Sequence, residues 1–332
     1  MGRKRCTSVI VFEDTKGDDV MERFRNVTIF LLLAFGFLTM SDTAFAEEPM
    51  RIAMEENSVS VLHGQRSIFC YRYENVPFKP YVQQLYSPSG INVLRDAPSD
   101  HLHHHALMYA VAVDGVNFWE EQTDPGRQLH KRFGDMRIDK NGDVPGAGFT
   151  EQIDWINPSS RELLLKERRT IKVCQMDDVK ATLLSWQSSL AVPSGKKSMT
   201  LTGSHYFGLG MRFLESMDTG GQFLNATGEA GDIVRGAERL ARADWCAYTA
   251  EADGKPVTIA MFGHPENHRH PTHWFTMTTP FAYLAATLNL HKEPLEVNSD
   301  KPLVLRYAVA IWDGRIDKSK IDEIYRRWVD GQ

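Results

Sequence analysis

Short runs of alternating apolar and polar residues recur along most of the chain, and this period-two pattern constrains the fold more than any other feature. Examples are residues 58–62, 107–113 and 257–262, which are separated from other such runs by Gly, Pro, Asn and Asp. Successive side chains of a β-strand point to opposite faces, so these runs predict strands with one buried face. The turn residues between them predict antiparallel connections.

One helix is predicted, at the C-terminal end of the chain. Ile321, Ile324, Tyr325 and Trp328 have the spacing of a single helical face. No linker rich in Pro, Ser or Gly divides the sequence. Many strands and one terminal helix predict a mostly β protein: a large antiparallel, supersandwich-like β-sandwich that forms a single domain over residues 47–332.

The N-terminal segment has the pattern of a secretory signal peptide. Two arginines precede an apolar run over residues 27–40, and the small-residue triplet A-F-A follows at 44–46. This pattern predicts cleavage after residue 46 and a translation start at Met21. The alternative, an uncleaved anchor, needs roughly 20 apolar residues to span a bilayer. We therefore expect residues 1–46 to be an N-terminal extension with a signal peptide, and the protein to be secreted or periplasmic.

The charge distribution restricts the possible partners. The chain has 38 Lys and Arg against 43 Asp and Glu, a formal net charge of −5. A nucleic-acid-binding protein usually presents a basic face, and no sufficiently large Lys/Arg cluster occurs. No run after residue 46 is long and apolar enough to cross a membrane. We expect a small-molecule or glycan ligand, no nucleic acid and no membrane span in the mature chain.

Histidines concentrate in two short segments, which hold eight of the twelve in the chain. The first is D-H-L-H-H-H at residues 100–105, which we call the histidine segment. If it is extended, His101, His103 and His105 point one way and His104 the other. Imidazoles on one face suit acid–base chemistry or a divalent metal with an open position. Histidines bonded to backbone and carboxylate groups in a loop are the third possibility.

The second segment, at residues 263–274, contains Pro265 and Pro271, which predict an irregular path. Irregular loops with polar groups often line sites, so His264, Asn267 and His273 are candidate ligand-binding residues. A solvated loop is the alternative.

A third stretch, at residues 203–213, adds one histidine and one arginine. Its two glycines at 208 and 210 permit close backbone approach. Arg212 is suited to bind a carboxylate or phosphate, or to form a structural salt bridge.

Several of these segments resemble the secreted methane-oxygenase PmoA-like family. The resembling stretches are 86–96, 100–105, 205–212, 263–274 and 306–314. The family name implies a subunit of methane oxidation. A membrane methane monooxygenase subunit needs several spanning helices, which the sequence after residue 46 does not offer.

A second resemblance is to the galactose-mutarotase-like supersandwich. A Ser-His-x-Tyr-Phe type segment supplies a catalytic histidine there, and Ser204-His205-Tyr206-Phe207 is similar but lacks one residue between His and Tyr. The resemblance implies a large sandwich and a catalytic role for His205.

The leading hypothesis is an extracytoplasmic carbohydrate-active enzyme that uses histidines as general acid and base on a sugar or uronate. The predicted catalytic residues are His103, His105 and His205, and the predicted substrate-binding residues are Asp100, Arg212, His264, Asn267 and His273. The alternatives are a metal-dependent oxidative or hydrolytic enzyme with His101, His103 and His105 as ligands, and a non-catalytic glycan-binding module. The leading hypothesis requires the distant segments that carry His105, His205 and His273 to meet in space.

Overall fold

The computed structural model describes residues 10–12, 50–139 and 146–331. Within these residues the chain is mostly β-strand with one α-helix at its C-terminal end, which confirms the predicted fold class. The predicted signal segment lies outside the described residues except for 10–12. Among the helices that the structure describes, none has the length and apolar content needed to cross a bilayer.

The first twelve strands include the three longest of the fold. In chain order they are β1 (Ile10–Phe12), β2 (Met50–Met54), β3 (Ser58–His63), β4 (Arg66–Arg72), β5 (Tyr81–Leu85), β6 (Leu107–Ala110), β7 (Ala112–Val113), β8 (Val116–Asn117), β9 (Arg127–Asp139), β10 (Gly146–Asn157), β11 (Glu162–Met176) and β12 (Ala181–Ala191).

The remaining strands precede a C-terminal helix. They are β13 (Ser198–Thr202), β14 (Gly208–Arg212), β15 (Gln222–Asn225), β16 (Asp232–Ile233), β17 (Arg239–Ala243), β18 (Trp245–Ala252), β19 (Lys255–Gly263), β20 (Thr272–Met277), β21 (Tyr283–Thr287), β22 (Leu295–Asn298) and β23 (Leu303–Asp313), followed by α1 (Lys318–Asp330). A short 3-10 turn, Glu215–Met217, lies between β14 and β15.

The strands form two large sheets and one small sheet. The front sheet has the order β1-β2-β3-β4-β5-β6-β14-β21-β20-β17-β16, and the back sheet has the order β15-β18-β19-β23-β12-β11-β10-β9. A four-stranded sheet has the order β22-β13-β7-β8. Neighbouring strands run antiparallel, as in the pairs β14–β21 and β12–β23. The predicted large antiparallel sandwich is therefore present.

The main core lies between the front and back sheets. Phe69 and Leu209 reach it from the front sheet, and Trp155 and Trp186 reach it from the back sheet, all nearly fully buried. Burial of each such side chain stabilises the fold by roughly 1.5–3 kcal/mol. The apolar positions of the period-two pattern are thus the side chains that face this core between the two sheets.

Helix α1 covers the outer face of the back sheet. Ile321, Ile324 and Trp328 pack there in a second apolar cluster that also contains Leu183 of β12. The Trp328 indole N–H donates to the Ser185 hydroxyl at 3.1 Å. The helix thus partly covers the outer face of β12.

A buried charged network crosses the main core. Arg169 donates to Glu167 at 2.9 Å and to the Tyr71 hydroxyl at 2.9 Å, and the Tyr71 hydroxyl donates to Glu151. His130 lies 2.7 Å from the same Glu151 carboxylate. Because Tyr71 belongs to β4 and the others belong to β9, β10 and β11, the network ties the front sheet to the back sheet.

Candidate functional site

Three strands of the front sheet align side chains in rows on its outer face. Arg212 on β14 pairs with Tyr283 on β21, and Tyr283 pairs with Met277 on β20. Directly paired residues of antiparallel strands share a face, so these side chains lie side by side. Phe275 and His273 precede Met277 by two and four residues and lie on the same face.

A cavity of about 540 Å³ lies above this face. Its walls come from the histidine segment, from the turn between β16 and β17, and from the strand rows. The lining side chains that matter below are His103, His104, Glu120, Tyr206, Glu238, Phe275 and Tyr283. A volume of this size fits a small-molecule ligand, since such pockets range over roughly 300–1,000 Å³.

Aromatic rings form the floor of the cavity. Phe275 lies 5.7 Å from Tyr206 and 6.4 Å from Tyr283 between ring centroids. Trp119 packs beneath them, 5.6 Å from Tyr206 and 6.3 Å from Tyr283. Gly210 makes this packing possible, because a Cβ there would come within 2.0 Å of the Tyr283 hydroxyl and 2.5 Å of the Trp119 ring. Phe275 and Tyr283 are only 3% and 2% exposed, so the partly exposed Tyr206 is the ring of this group on which a ring-shaped ligand can stack.

The histidine segment folds as a turn and does not adopt the extended conformation that would place His101, His103 and His105 on one face. The His104 N–H donates to the His101 carbonyl at 2.9 Å, and the His101 N–H donates to the Pro98 carbonyl at 2.9 Å. The rings of His101, His103 and His104 consequently gather together, with centroids 4.6–5.6 Å apart. The side chain of His105 lies apart from these three rings and contacts Asp96 and Glu121 instead.

The side chains of His101, His103 and His105 therefore do not lie on one face of the segment, as an extended conformation would require. Within the described ranges, no group of three or more His, Cys, Asp or Glu side chains is placed to hold a metal ion. The metal-dependent alternative consequently has no arrangement of ligands to support it in this part of the chain.

His103 and His104 are kept neutral by their surroundings. Burial, with the neighbouring imidazoles, lowers the pKa of His104 to about 2, and its ring lies 4.9 Å from that of Tyr283. Burial also lowers the pKa of His103, and the Lys79 ammonium lowers it further. A neutral imidazole at the wall of a cavity can accept a proton, so His103 is placed to act as a general base.

His105 is held between two carboxylates behind the cavity wall. Its Nδ1 lies 3.2 Å from Asp96 and its Nε2 lies 3.1 Å from Glu121, which also binds Lys79. Burial alone would lower the pKa of His105, but these hydrogen bonds raise it above its ordinary value. The imidazole is 3% exposed and both its nitrogens are occupied. Its catalytic role stays a prediction, and its geometry is that of a positioning residue.

His205 and His273 lie at the far side of the same sheet face. The His205 Nε2 is 3.4 Å from the Glu238 carboxylate, and its ring is 5.2 Å from Phe275. Burial lowers the pKa of His205. Burial, with the Arg242 guanidinium, lowers the pKa of His273 to about 4. The structure thus brings His205 next to the cavity through Glu238 and Phe275.

Arg212 and Asp100, two predicted binding residues, contact each other. The Arg212 guanidinium is 3.5 Å from Asp100 and 3.7 Å from Asp218, and it stacks on the Phe281 ring at 3.4 Å. It is 1% exposed. Asp100 also lies 3.1 Å from His101. The positive charge of Arg212 is thus already balanced by carboxylates of the chain.

His264 and Asn267 lie with the back sheet. The Asn267 side chain donates to the Arg306 carbonyl and accepts from the Arg306 N–H, both at 2.7 Å. The His264 ring packs 5.5 Å from Trp328 of α1. Residues 264–271 pass from β19 in the back sheet to β20 in the front sheet. The second histidine segment is therefore divided between the two sheets, and only its His273 end faces the cavity side.

Several lining residues were not predicted as site residues. Glu238 comes from the short β16–β17 connection, which carries no motif, and Phe275 and Tyr283 are members of ordinary strand patterns. Glu120 follows the strand after the histidine segment, and its acidity was the only signal available. Its carboxylate accepts a hydrogen bond from the Tyr206 hydroxyl at 2.9 Å. Burial and this bond raise the pKa of Tyr206 to about 12.

A larger groove of about 750 Å³ runs along the back sheet beside α1. Residues such as Arg137, Lys172 and Arg327 line it, together with Asp139 and Gly146. None of the predicted site residues lines it, so the front-sheet cavity is the stronger candidate.

Fold and site together define a large antiparallel β-sandwich with a ligand-sized cavity on the outer face of one sheet. The chain belongs to the family described as "Family of unknown function (DUF6807)", whose model matches residues 58–326. No curated protein matches it significantly. The comparisons give no support to the resemblance with the PmoA-like family.

Solved structures show distant similarity. The Slr1438 protein from Synechocystis is 9% identical over 80% of this chain and 92% of that chain, with a TM-score of 0.37. YeaD from Salmonella typhimurium, provisionally described as a mutarotase, is 8% identical over 80% and 91%, with a TM-score of 0.34. A 4-alpha-glucanotransferase from Thermococcus litoralis is 7% identical over 81% and 38%, with a TM-score of 0.26. No functional argument rests on similarities of this size.

Proposed function

We propose that this protein is an exported carbohydrate-active enzyme that binds a sugar in the front-sheet cavity and uses His103 to transfer a proton. The observation that carries the proposal is the combination of an aromatic floor with neutral imidazoles and carboxylates in one cavity. Export rests on the signal-peptide pattern of residues 1–46. The resemblance to PmoA-like proteins has no part in it.

The cavity has two kinds of surface that a sugar needs. A sugar ring has apolar C–H faces that stack on aromatic rings, and the partly exposed Tyr206, beside the buried Phe275, supplies such a ring. It also has hydroxyl groups that donate and accept hydrogen bonds. Buried polar atoms of two lining residues have no hydrogen-bond partner among the described residues: His104 Nδ1 and the Tyr283 hydroxyl. Buried polar groups are normally paired, so these atoms are suited to ligand hydroxyls.

The proton transfer follows from the state of His103. Its lowered pKa keeps the imidazole unprotonated at neutral pH, so that it is free to accept a proton. The imidazolium that forms after it accepts a proton is stabilised by the nearby negative charges of Glu121 and Glu120. The same group can then return the proton, so one residue serves as base and then as acid.

The test is an assay of purified protein against a panel of neutral sugars, uronates and short oligosaccharides, followed by ¹H NMR. We expect conversion of at least one compound. His103→Gln should reduce kcat/KM by about 10²–10⁴-fold, the usual contribution of a general base, and leave affinity nearly unchanged. His268→Gln is the matched control, because His268 is exposed.

The outcomes separate the functional alternatives. Saturable binding without conversion of any compound would refute catalysis and favour the glycan-binding module. Absence of both binding and conversion across the panel would refute the carbohydrate proposal itself.

A further inference from the structure

We infer that the front-sheet cavity takes uncharged sugars and discriminates against uronates, an inference that rests on the proposed function and specifies its substrate class. The sequence is compatible with either a neutral sugar or a uronate as the substrate. The charges around the cavity distinguish between these two classes of ligand.

Fixed charge on the cavity wall is predominantly negative. Among the described residues that line the cavity, Glu120 and Glu238 are carboxylates and Arg235 is the one guanidinium. Arg235 is 83% exposed and binds Glu238 at 2.6 Å, so its charge is already directed at a protein carboxylate. A ligand carboxylate would therefore meet one more negative than positive charge.

The histidines at the cavity do not compensate for this negative charge. Burial chiefly lowers the pKa values of the lining residues His103 and His104 and of His205, which lies next to the cavity. These imidazoles are neutral at neutral pH and offer a uronate no positive charge. The third lining histidine, His101, is 3.1 Å from the Asp100 carboxylate.

The two buried cations behind the wall are also balanced. Arg212 lies within 3.7 Å of both Asp100 and Asp218. Lys79 is bound to Glu121. Although Arg212 Nε and Nη1 lack partners among the described residues, each cation comes with at least one carboxylate. When these two cations and their carboxylates are counted with the lining residues, the net charge around the cavity is still negative.

Two polar atoms of the wall point to the same class of ligand. Glu238 Oε2, which faces His205 Nε2 at 3.4 Å, can only accept a hydrogen bond while it is ionised, and the unpaired Tyr283 hydroxyl can donate and accept. A sugar hydroxyl can satisfy either atom. A uronate carboxylate cannot donate to Glu238, and like charges brought together at a binding site are strongly unfavourable.

The experiment compares matched pairs on the wild-type protein. The neutral sugar that binds best in the panel is titrated by ligand-observed NMR beside its C6 carboxylate, for example glucose with glucuronate or galactose with galacturonate. We expect the uronate to bind at least about tenfold more weakly, which corresponds to about 1.4 kcal/mol. The corresponding amino sugar should bind at least as well as the neutral one.

Variants test the cause of the discrimination. Glu238→Gln removes one wall carboxylate and should lower the ratio of the uronate dissociation constant to that of the neutral sugar. Arg235→Gln removes the exposed cation and should raise this ratio. Glu251→Gln makes the same chemical change as Glu238→Gln on an exposed position of β18 in the back sheet and should leave the ratio unchanged.

The inference and the proposed function fail in different ways. A uronate that binds as tightly as its neutral counterpart, or more tightly, overturns the inference while leaving carbohydrate binding intact. If Glu238→Gln does not fold, the wild-type ratio and Arg235→Gln still decide the matter. Failure of every sugar to bind overturns the proposed function and the inference together.

Discussion

Replacement of His105 by glutamine tests whether this residue organises the wall or takes part in proton transfer directly. Glutamine keeps a polar side chain of similar length but has no positive charge. In the folded protein, His105 contacts Asp96 at 3.2 Å and Glu121 at 3.1 Å. The substitution would leave two carboxylates without their common partner, one of them 8% exposed and the other 23% exposed.

The size of the effect follows from the burial of these groups. Breaking a buried ion pair by removal of one partner costs about 3–5 kcal/mol. We expect the lower end, about 3 kcal/mol on the same scale, because Lys79 still binds Glu121 and Asp96 still accepts from Tyr81 and Gln83. One kcal/mol shifts Tm by roughly 2–4 °C in a large domain, so Tm should fall by roughly 6–12 °C.

The stabilising effect of His105 should depend on pH. Burial opposes charge on all three groups, but their mutual hydrogen bonds raise the pKa of His105 and lower the pKa values of Asp96 and Glu121. The histidine contribution is fully present below the unfolded pKa of about 6.5 and is lost as the pH rises through the folded value. The carboxylate contributions are present above the unfolded values of about 4 and are lost as the pH falls through the lowered ones.

Thermal unfolding at pH 5.5 and at pH 9 measures this dependence. The difference in Tm between wild type and His105→Gln should be largest near pH 5.5 and smaller at pH 9. His268→Gln, at an exposed site, should stay within about 0.5 kcal/mol of wild type. A variant with unchanged Tm and abolished turnover would refute the positioning role and make His105 a direct acid–base group. A Tm difference that grows towards pH 9 would refute the charge argument.

Three further substitutions test other parts of the structure. Gly210→Ala should lower the free energy of unfolding by about 1–3 kcal/mol through overpacking. Tyr283→Phe in the same chain should restore part of the lost stability, because the closest clash of the new methyl group is with the Tyr283 hydroxyl. Urea unfolding measures both changes. Asn267→Ala should cost about 2 kcal/mol for two lost hydrogen bonds while sugar affinity by NMR stays the same, and a large loss of affinity would place Asn267 in the site after all. Arg169→Ala should destabilise the protein by about 3–5 kcal/mol because Glu167 stays buried without its ion-pair partner. Calorimetry measures this loss, and an unchanged Tm would mean that the network contributes nothing to the stability of the fold.

The fold was predictable because its signal is local. A strand with one buried face produces a period of two wherever it occurs, and α1 produces a helical period that needs no knowledge of its partner. The buried network was not predictable for the opposite reason. Glu167 and Arg169 occupy alternate positions of a strand and resemble a solvated face, and only the fold shows that they turn inward to meet Tyr71.

The candidate site was predictable only in part. The histidine segment and His205 were identified by residue type, and the structure brings both to one cavity region. The position of Glu238 depends on how β16 and β17 fold beside β20, which is long-range information. His264 and His273 are close in sequence, but they separate because the connection between them passes from one sheet to the other.

The histidine segment shows most clearly why residue type alone does not assign a role. His103, His104 and His105 are consecutive, yet burial without a carboxylate partner lowers the pKa of His104 to about 2, while two carboxylates raise the pKa of His105. The turn at residues 101–104 causes this difference, because it directs His104 onto Tyr283 and His105 towards Asp96 and Glu121. The pKa values of neighbouring imidazoles are thereby shifted in opposite directions. His103 is the neutral imidazole at the cavity wall that the proposed proton transfer requires, and His105 binds the carboxylates behind the wall.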